Sequence, residues 1–214
     1  GAGLPLRARW RPATVFASEP LLQALPALRE EAARMAAQGP RIWSTRGLEP
    51  FLAARGAWEA VNVCTDGALL PAACAALPAL CRLIGPGGPL HWFVDPRVGP
   101  GRAVAARVEA AGGGAALASS NRYVKLYRLA PGGSVAPHFG RPGRLIVMLP
   151  LAGAGGAFLS VAGEERPLAV GEALVFDDSF LHRAEHRGRE PRVVLAFAVW
   201  HCGLLGHGCP GAAG

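Results

Sequence analysis

Three side chains in the second half of the chain could together bind a metal ion and an organic acid. His138 and His182 adjoin segments rich in β-type residues, and Arg192 comes ten positions after His182. Neutral imidazoles suit Fe(II), and a guanidinium can pair with a carboxylate through two parallel hydrogen bonds. This order is typical of non-haem iron oxygenases that consume 2-oxoglutarate. It predicts His138 and His182 as Fe(II) ligands and Arg192 as the anchor of 2-oxoglutarate.

The third ligand of such a site is missing from its usual place. Side chains of a strand face the same way at every second residue, so Asp or Glu would be expected at position 140, where this chain has Gly140. Asp177 and Asp178, in the acidic turn before His182, could be metal ligands or acid–base groups. We favour turn carboxylates that accept backbone N–H groups over metal ligands for both. His186 shares the strand face of His182, and we expect it behind the ligands or exposed.

Arg192 opens the apolar strand Val193–Trp200. A guanidinium that enters such a strand needs an anionic partner. The anion of a bound organic acid is one candidate. The alternative is a structural ion pair with Asp177, Asp178 or Glu190.

Composition limits the protein class. With 214 residues, 51% of them hydrophobic, the chain can bury a full core, and we expect one domain over residues 1–214. No apolar run reaches the roughly 18 residues of a membrane span. A complete chain would be cytoplasmic, whereas an upstream segment would allow a membrane anchor in the endoplasmic reticulum. The net charge of +7 comes from scattered arginines, with Lys125 as the only lysine, so nucleic-acid binding is disfavoured.

The cysteines show no repeated spacing. Buried free thiols in a reducing compartment are therefore the expectation. A zinc site in the tail, from His201 to Cys209, matches no standard finger and is disfavoured. The five cysteines are Cys64, Cys74, Cys81, Cys202 and Cys209.

The first 120 residues are predicted to be mostly helical. Leu21, Leu25, Leu28, Ala32 and Met35 recur at three- and four-residue steps, which indicates one amphipathic helix whose regular part begins at Pro26. Further predicted elements are a helix over Leu48–Arg55, a helix over Ala68–Leu83, a strand over Leu90–Val94 and a loop over 112–120.

From Asn121 onward the pattern changes to short strands separated by Gly, Pro and Asp, and residues 202–214 are predicted to be a flexible tail. Such spacing favours a double-stranded β-helix, the jelly roll of cupin-like proteins, over residues 121–201. The last strand is apolar on both faces and should be central, with the helices on its outer face. The predicted strands are Tyr123–Leu129, Ser134–His138, Arg144–Leu151, Ala157–Val161, Arg166–Val170, Ala173–Phe176, Leu181–His186 and Arg192–His201.

The stretch from Tyr123 to His201 resembles the aspartyl/asparaginyl β-hydroxylase family, and Gly56-Ala57-Trp58 is similar to its entry segment. The matching words are Val124-Lys125-Leu126, Pro131-Gly132, Pro137-His138-Phe139-Gly140, Arg144-Leu145, Phe176-Asp177-Asp178-Ser179-Phe180-Leu181-His182, Arg192-Val193-Val194 and Val199-Trp200-His201.

This resemblance implies a Fe(II)- and 2-oxoglutarate-dependent dioxygenase whose iron is held by two histidines without a carboxylate, which accounts for Gly140. It implies that His138 and His182 bind the metal and that Arg192 binds the co-substrate. Lys125 and Tyr127 fall in the co-substrate pocket, and Arg144 falls on the substrate side. The implied reaction hydroxylates an aspartyl, asparaginyl or related side chain of a peptide, a protein or a small molecule.

The chain departs from the family pattern around the pocket. An Arg-Leu-Arg-x-His word reads Arg144-Leu145-Ile146-Val147-Met148 here, and Tyr127 replaces a small hydroxyl residue. Three alternatives therefore stay open. One is an oxygenase relic that serves as an interaction module, another is a cupin-type metal-binding protein, and the third is a halogenase with a halide at the position left by Gly140.

Overall fold

The computed structural model describes residues 10–11, 19–38, 43–44, 52–65, 67–91, 94–95, 106, 110, 123–140 and 144–200. The helices are α1 Glu19–Ala37, α2 Pro71–Ala76 and α3 Pro78–Ile84. The strands are β1 Trp10–Arg11, β2 Ala53–Arg55, β3 Trp58–Thr65, β4 Ala68–Leu69, β5 Tyr123–Leu129, β6 Ser134–His138, β7 Arg144–Ala152, β8 Ala157–Val161, β9 Glu164–Pro167, β10 Leu174–Asp177, β11 His182–His186 and β12 Arg192–Trp200.

Two antiparallel sheets form a double-stranded β-helix, which confirms the predicted fold class. The larger sheet has seven strands in the order β1-β10-β7-β12-β5-β3-β4, and the smaller has five in the order β2-β6-β11-β8-β9. From β5 to β12 the chain passes repeatedly between the two sheets, and only β8 and β9 are consecutive strands of one sheet. This winding brings the end of β6 beside the start of β11.

The final strand β12 is central, as its apolar sequence predicted. It lies between β7 and β5, and its alternate residues face two different cores. Val193, Leu195 and Phe197 pack into a core that includes α1, α2 and α3. Val194 and Ala196 face the space between the two sheets. The sheet is therefore covered on both faces around β12.

The strands around the candidate site were predicted closely, and the largest error concerns β9. Strands β5, β6 and β8 have the predicted bounds, but β9 begins at Glu164, ahead of the predicted Arg166. Ala162 and Gly163 both adopt positive φ, 50° and 85°, between the paired residues Val161 and Glu164. A two-residue turn of this kind matches the right-handed twist of the strands, and Gly163 is its second residue.

The first half of the chain contains more β-structure than predicted. Strand β3 pairs with β5 along its whole length and extends the larger sheet. The helix predicted over Leu48–Arg55 is wrong for its described residues, because Ala53–Arg55 forms β2 against the edge of β6. The strand predicted over Leu90–Val94 is also not found, since Leu90 and His91 lie in a turn and a short 3-10 segment.

The helices follow the predicted stripe with two corrections. Helix α1 begins at Glu19 and includes Pro26, so it does not start at the proline; Leu28 and Met35 are among its buried residues. The helix predicted over Ala68–Leu83 is divided, because β4 precedes α2 and Leu77 separates α2 from α3. Pro78 at the first turn of α3 explains the break, since proline disfavours helical conformation in the residue before it.

Cys74 and Cys81 form a disulfide that joins α2 to α3, which corrects the expectation of free thiols for these two residues. Their Cα atoms are 5.5 Å apart because the break at Leu77 folds the two short helices together. Glu31 of α1 accepts backbone N–H bonds from Ala79 at 2.6 Å and Leu80 at 3.2 Å, which fixes α3 against α1.

The predictions for the tail and for residues 112–120 lie outside the described residues. Among the described helices, none combines the length and the apolar character that crossing a membrane requires.

Candidate active site

His138 and His182 lie side by side at one end of the space between the sheets, and we call them the histidine pair. They are direct partners in the register of β6 and β11, and their ring centroids are 4.1 Å apart. Each Nδ1 lies 2.8 Å from the backbone carbonyl two residues earlier, in Ala136 and Phe180. Since a carbonyl can only accept, Nδ1 carries the hydrogen in each neutral ring, and Nε2 keeps its lone pair. This is the tautomer that a metal requires.

The environment keeps His182 neutral. Burial lowers the pKa of His182, and the nearby His138 ring lowers it further. Phe176 packs against His182 with ring centroids 5.1 Å apart. The neutral imidazole is the form that ligates metal ions.

Asp178 occupies the space that a side chain at position 140 would need. A Cβ on Gly140 would overlap the Asp178 carboxylate, and the Gly140 N–H donates to the Asp178 carbonyl at 2.7 Å. The carboxylate accepts from Nε of Arg144 at 2.7 Å and also from its Nη2. Its other oxygen is 3.6 Å from Nε2 of His182. A carboxylate therefore stands beside the histidine pair, but it comes from the turn before His182.

The predicted turn carboxylate is found at Asp177, whereas the Asp178 carboxylate lies in the site. The Asp177 carboxylate accepts hydrogen bonds from the backbone N–H of Ser179 at 2.9 Å and from its hydroxyl at 2.6 Å. Asp178 faces Arg144 and His182 instead. The described residues contain no group of three His, Cys, Asp or Glu side chains arranged to hold a metal ion.

A cavity of about 550 Å³ begins at the histidine pair and continues between the sheets to Arg192. All six site residues predicted from the sequence line it. They are Lys125, Tyr127, His138, Arg144, His182 and Arg192.

Arg192 is the deepest charged group in this cavity. Its side chain is 2% exposed, and burial lowers its pKa to about 10. Its Nε and Nη1 atoms have no hydrogen-bond partner among the described residues. The predicted alternative, an ion pair with Asp177, Asp178 or Glu190, is not found in this part of the chain. A buried guanidinium with unpaired N–H groups is a strong candidate for binding an anion.

Known proteins similar to this chain share the motif region. Residues 106–202 match the family described as Aspartyl/Asparaginyl beta-hydroxylase. Aspartate beta-hydroxylase domain-containing protein 2 of Mus musculus is 42% identical over 77 residues, which are 34% of this chain and 22% of that protein. The Xenopus tropicalis protein of the same name is 29% identical over 150 residues, 68% of this chain and 34% of that protein.

Over residues 106–202 the chain is similar to the aspartyl/asparaginyl β-hydroxylase family. It spans between about a fifth and a third of the length of these curated relatives.

Solved structures with some likeness are cupin-type proteins of low overall similarity. A predicted oxalate decarboxylase from Thermotoga maritima has a TM-score of 0.34 and 21% identity, and covers 44% of this chain and 74% of that chain. A Cupin_2 domain of an Enterobacter cloacae transcriptional regulator has a TM-score of 0.34 and 16% identity, and covers 37% of this chain and 82% of that chain.

The departures from the β-hydroxylase family pattern all line the cavity. Ile146 and Met148 are 4% and 8% exposed and form part of its apolar wall, where the family pattern has basic residues. Arg144, predicted to face the substrate, lines the cavity but its guanidinium is held by Asp178 and lies 5.5 Å from the Tyr123 ring centre. Arg144 is therefore neutralised by a carboxylate of the same chain.

Lys125 and Tyr127 lie on one aromatic wall of the cavity. Tyr127 stacks on Trp58 with centroids 5.7 Å apart and planes 16° apart, and it meets Tyr123 edge-on at 6.5 Å. The Lys125 ammonium is 4.7 Å from the Tyr123 ring centre. Burial lowers the Lys125 pKa, and Arg144 adds to the effect. The aromatic wall thus carries a cationic group toward the cavity.

Several cavity residues were not predicted from the sequence. Trp58, Asn62 and Thr65 come from β3, and Leu52 precedes β2. The aromatic and β-branched residues of Trp58–Thr65 were a usable strand signal. His186, expected behind the ligands or exposed, is buried, and its Nε2 lies 2.5 Å from the carbonyl of Glu190.

Proposed function

We propose that this chain is a Fe(II)- and 2-oxoglutarate-dependent dioxygenase that hydroxylates an aspartyl, asparaginyl or related side chain. The observation that carries the proposal is the position of Arg192, whose buried and unpaired N–H groups line the same cavity as the histidine pair. The two features match the two ends of a 2-oxo diacid. One end needs a metal, and the other end needs a guanidinium.

The residues fit the implied iron ion. Both imidazoles are oriented by Nδ1 bonds to backbone carbonyls, which leaves two Nε2 atoms as ligands. His138 and His182 would hold the iron, and Asp178 would lie next to it. Bound iron would supply oxygen activation coupled to the conversion of 2-oxoglutarate into succinate and carbon dioxide.

The protein's own contribution is placement and exclusion of water. Arg192 would orient the far carboxylate by a paired set of hydrogen bonds, for which a planar guanidinium is better suited than an ammonium. Ile146, Met148 and Leu159 give the cavity an apolar lining that strengthens this pairing by keeping water out. The Nδ1 bonds hold the imidazoles in the ligating orientation.

The test uses Mn(II), which is redox-silent in place of Fe(II), and titration calorimetry with 2-oxoglutarate. His138→Ala should abolish tight metal binding. Arg192→Lys should retain metal binding but weaken 2-oxoglutarate at least about tenfold, because one ammonium cannot reproduce the bidentate pairing. Arg128→Lys is the matched control. Arg128 lies on the face of β5 that points away from the cavity, and it pairs with Glu59 at 2.7 Å. This variant should leave both affinities unchanged.

Activity is then measured as succinate release from 2-oxoglutarate with Fe(II), oxygen and a panel of peptides and small acids. Robust turnover by His138→Ala would contradict the ligand assignment. Unchanged 2-oxoglutarate binding in Arg192→Lys would contradict the anchor.

A second candidate is an oxygenase relic that serves as an interaction module. Ile146 and Met148 favour it, because they remove basic groups that the family pattern places around the co-substrate. A relic would bind neither Mn(II) nor 2-oxoglutarate in the calorimeter. A cupin-type metal protein would bind Mn(II) without any response to 2-oxoglutarate.

A further inference from the structure

We call the part of the cavity between the histidine pair and Arg192 the chamber. Its apolar walls are less than a tenth exposed. They are formed by Val135, Met148, Leu159, Ala184 and Ala196. The side toward β3 differs, because the cavity continues past the half-buried Tyr127 to Asn62 and Thr65. Tyr127 thus stands between the chamber and the rest of the cavity.

Tyr127 is also close to the anchor along the sheet. It pairs with Val194 of β12, two residues from Arg192, and Arg192 itself pairs with Leu129 of the same strand as Tyr127. Residues 127 and 129 share a strand face, as do 192 and 194. The Tyr127 ring therefore borders the path from the histidine pair to Arg192.

The ring is held in place from several directions. Trp58 stacks on it at 5.7 Å, Tyr123 meets it edge-on at 6.5 Å, and the Lys125 ammonium lies 6.0 Å from its centre. Stacked and edge-on aromatic pairs attract each other beyond the effect of the area they bury. A ring packed against these neighbours is a stiff wall.

We propose that Tyr127 limits the length of the 2-oxo diacid that the chamber accepts, admitting 2-oxoglutarate and excluding its homologue with one additional methylene. This inference rests on the proposed function. Both ends of the acid are fixed, one at the histidine pair and the other at Arg192, so a longer chain must bow sideways. The close-packed walls leave the Tyr127 side as the direction of the bow, and the stacked ring closes it.

The experiment compares 2-oxoglutarate with 2-oxoadipate in titrations of the Mn(II)-loaded protein. The wild-type chain should bind 2-oxoglutarate at least about tenfold more tightly, the usual scale for one methylene in a fitted apolar pocket. Tyr127→Phe keeps the stacked ring and should keep this preference. Tyr127→Ser removes the ring, opens the chamber toward β3 and should reduce the preference to about threefold or less. Tyr127→Val, with a side chain suited to a strand, is the second variant if the serine protein does not fold.

Each outcome bears on a different step. A preference that survives in Tyr127→Ser and Tyr127→Val overturns the inference while leaving the proposed function intact. A preference lost equally in Tyr127→Phe also overturns it, because the phenol and not the wall would then discriminate. The proposed function itself fails in a different way, through 2-oxoglutarate affinity that does not respond to Arg192→Lys.

Discussion

Replacing Arg192 by methionine should stabilise the ligand-free protein. Arg192 is 2% exposed, has two side-chain nitrogens without partners among the described residues, and has its pKa lowered from its ordinary value to about 10 by burial. A tenfold change in an acid constant corresponds to about 1.4 kcal/mol, so keeping this group charged in the fold costs about 3 kcal/mol. Methionine retains the apolar stem and removes the charge.

The sign of the effect follows from the order of the two pKa values. The folded pKa of Arg192 lies below the unfolded one, so the cost is present in full below about pH 10 and fades only as the pH rises from there toward the ordinary pKa of arginine. Between pH 6 and 9 the stability difference between variant and wild type should therefore be constant. After allowance for imperfect repacking, we expect a gain of about 2–3 kcal/mol, or about 4–12 °C in Tm for a chain of this size.

The assay is thermal unfolding with and without Mn(II) and 2-oxoglutarate. With Mn(II) present, 2-oxoglutarate at about 100 times its Kd should stabilise the wild type by about 2.7 kcal/mol. The same addition of 2-oxoglutarate should leave the stability of Arg192→Met unchanged. Arg128→Met is the control, because Arg128 pairs with Glu59 and lies over the Trp43 ring at 4.6 Å. It should lose about 1 kcal/mol. A fall in Tm for Arg192→Met would show that Arg192 has a stabilising partner in the fold, and the reasoning for an anion anchor would be refuted.

Three further changes probe the surroundings of the site and its support. Gly140→Ala should displace the Asp178 carboxylate that fills the space of the new Cβ and weaken Mn(II) binding about tenfold, measured by calorimetry; unchanged binding would mean that the carboxylate moves aside at no cost. Glu31→Gln should lower the free energy of unfolding in urea by about 1–2 kcal/mol, because the charged acceptor for the first N–H groups of α3 is lost, and a neutral result would contradict that role. The double variant Cys74→Ser and Cys81→Ser should lose about 2–3 kcal/mol relative to the oxidised protein, and it should match the reduced wild type in the same denaturation assay.

The β-rich half of the fold was predictable because its signals are local. Alternation and turn residues gave β5, β6 and β8 their bounds, and the apolar run of β12 gave its central position. The first half was harder, because the residues of β3 favour a strand but do not show that it pairs with β5, which is distant in sequence. Likewise, the disulfide between Cys74 and Cys81 depends on a helix break that brings the two residues together.

The sequence indicated residues that line the cavity but not the contacts between them. The spacing of His138, His182 and Arg192 placed each of them on a strand. It could not show that Arg144 is held by Asp178, because that contact joins the start of β7 to a turn 34 residues later. Nor could it show that Tyr127 rests on Trp58, since that contact requires β3 to lie in the sheet.

The absence of a side chain at position 140 has a physical explanation in this fold. The Asp178 carboxylate, from the turn between β10 and β11, fills the space next to His182. Two carboxylates in that space would repel each other, and Arg144 could neutralise only one of them. Gly140 and Asp178 therefore depend on each other, because the glycine leaves the space that the aspartate side chain fills. It follows that Gly140→Asp alone cannot convert the site to one with two histidines and a carboxylate on β6, whereas the change combined with Asp178→Ala leaves the space for it.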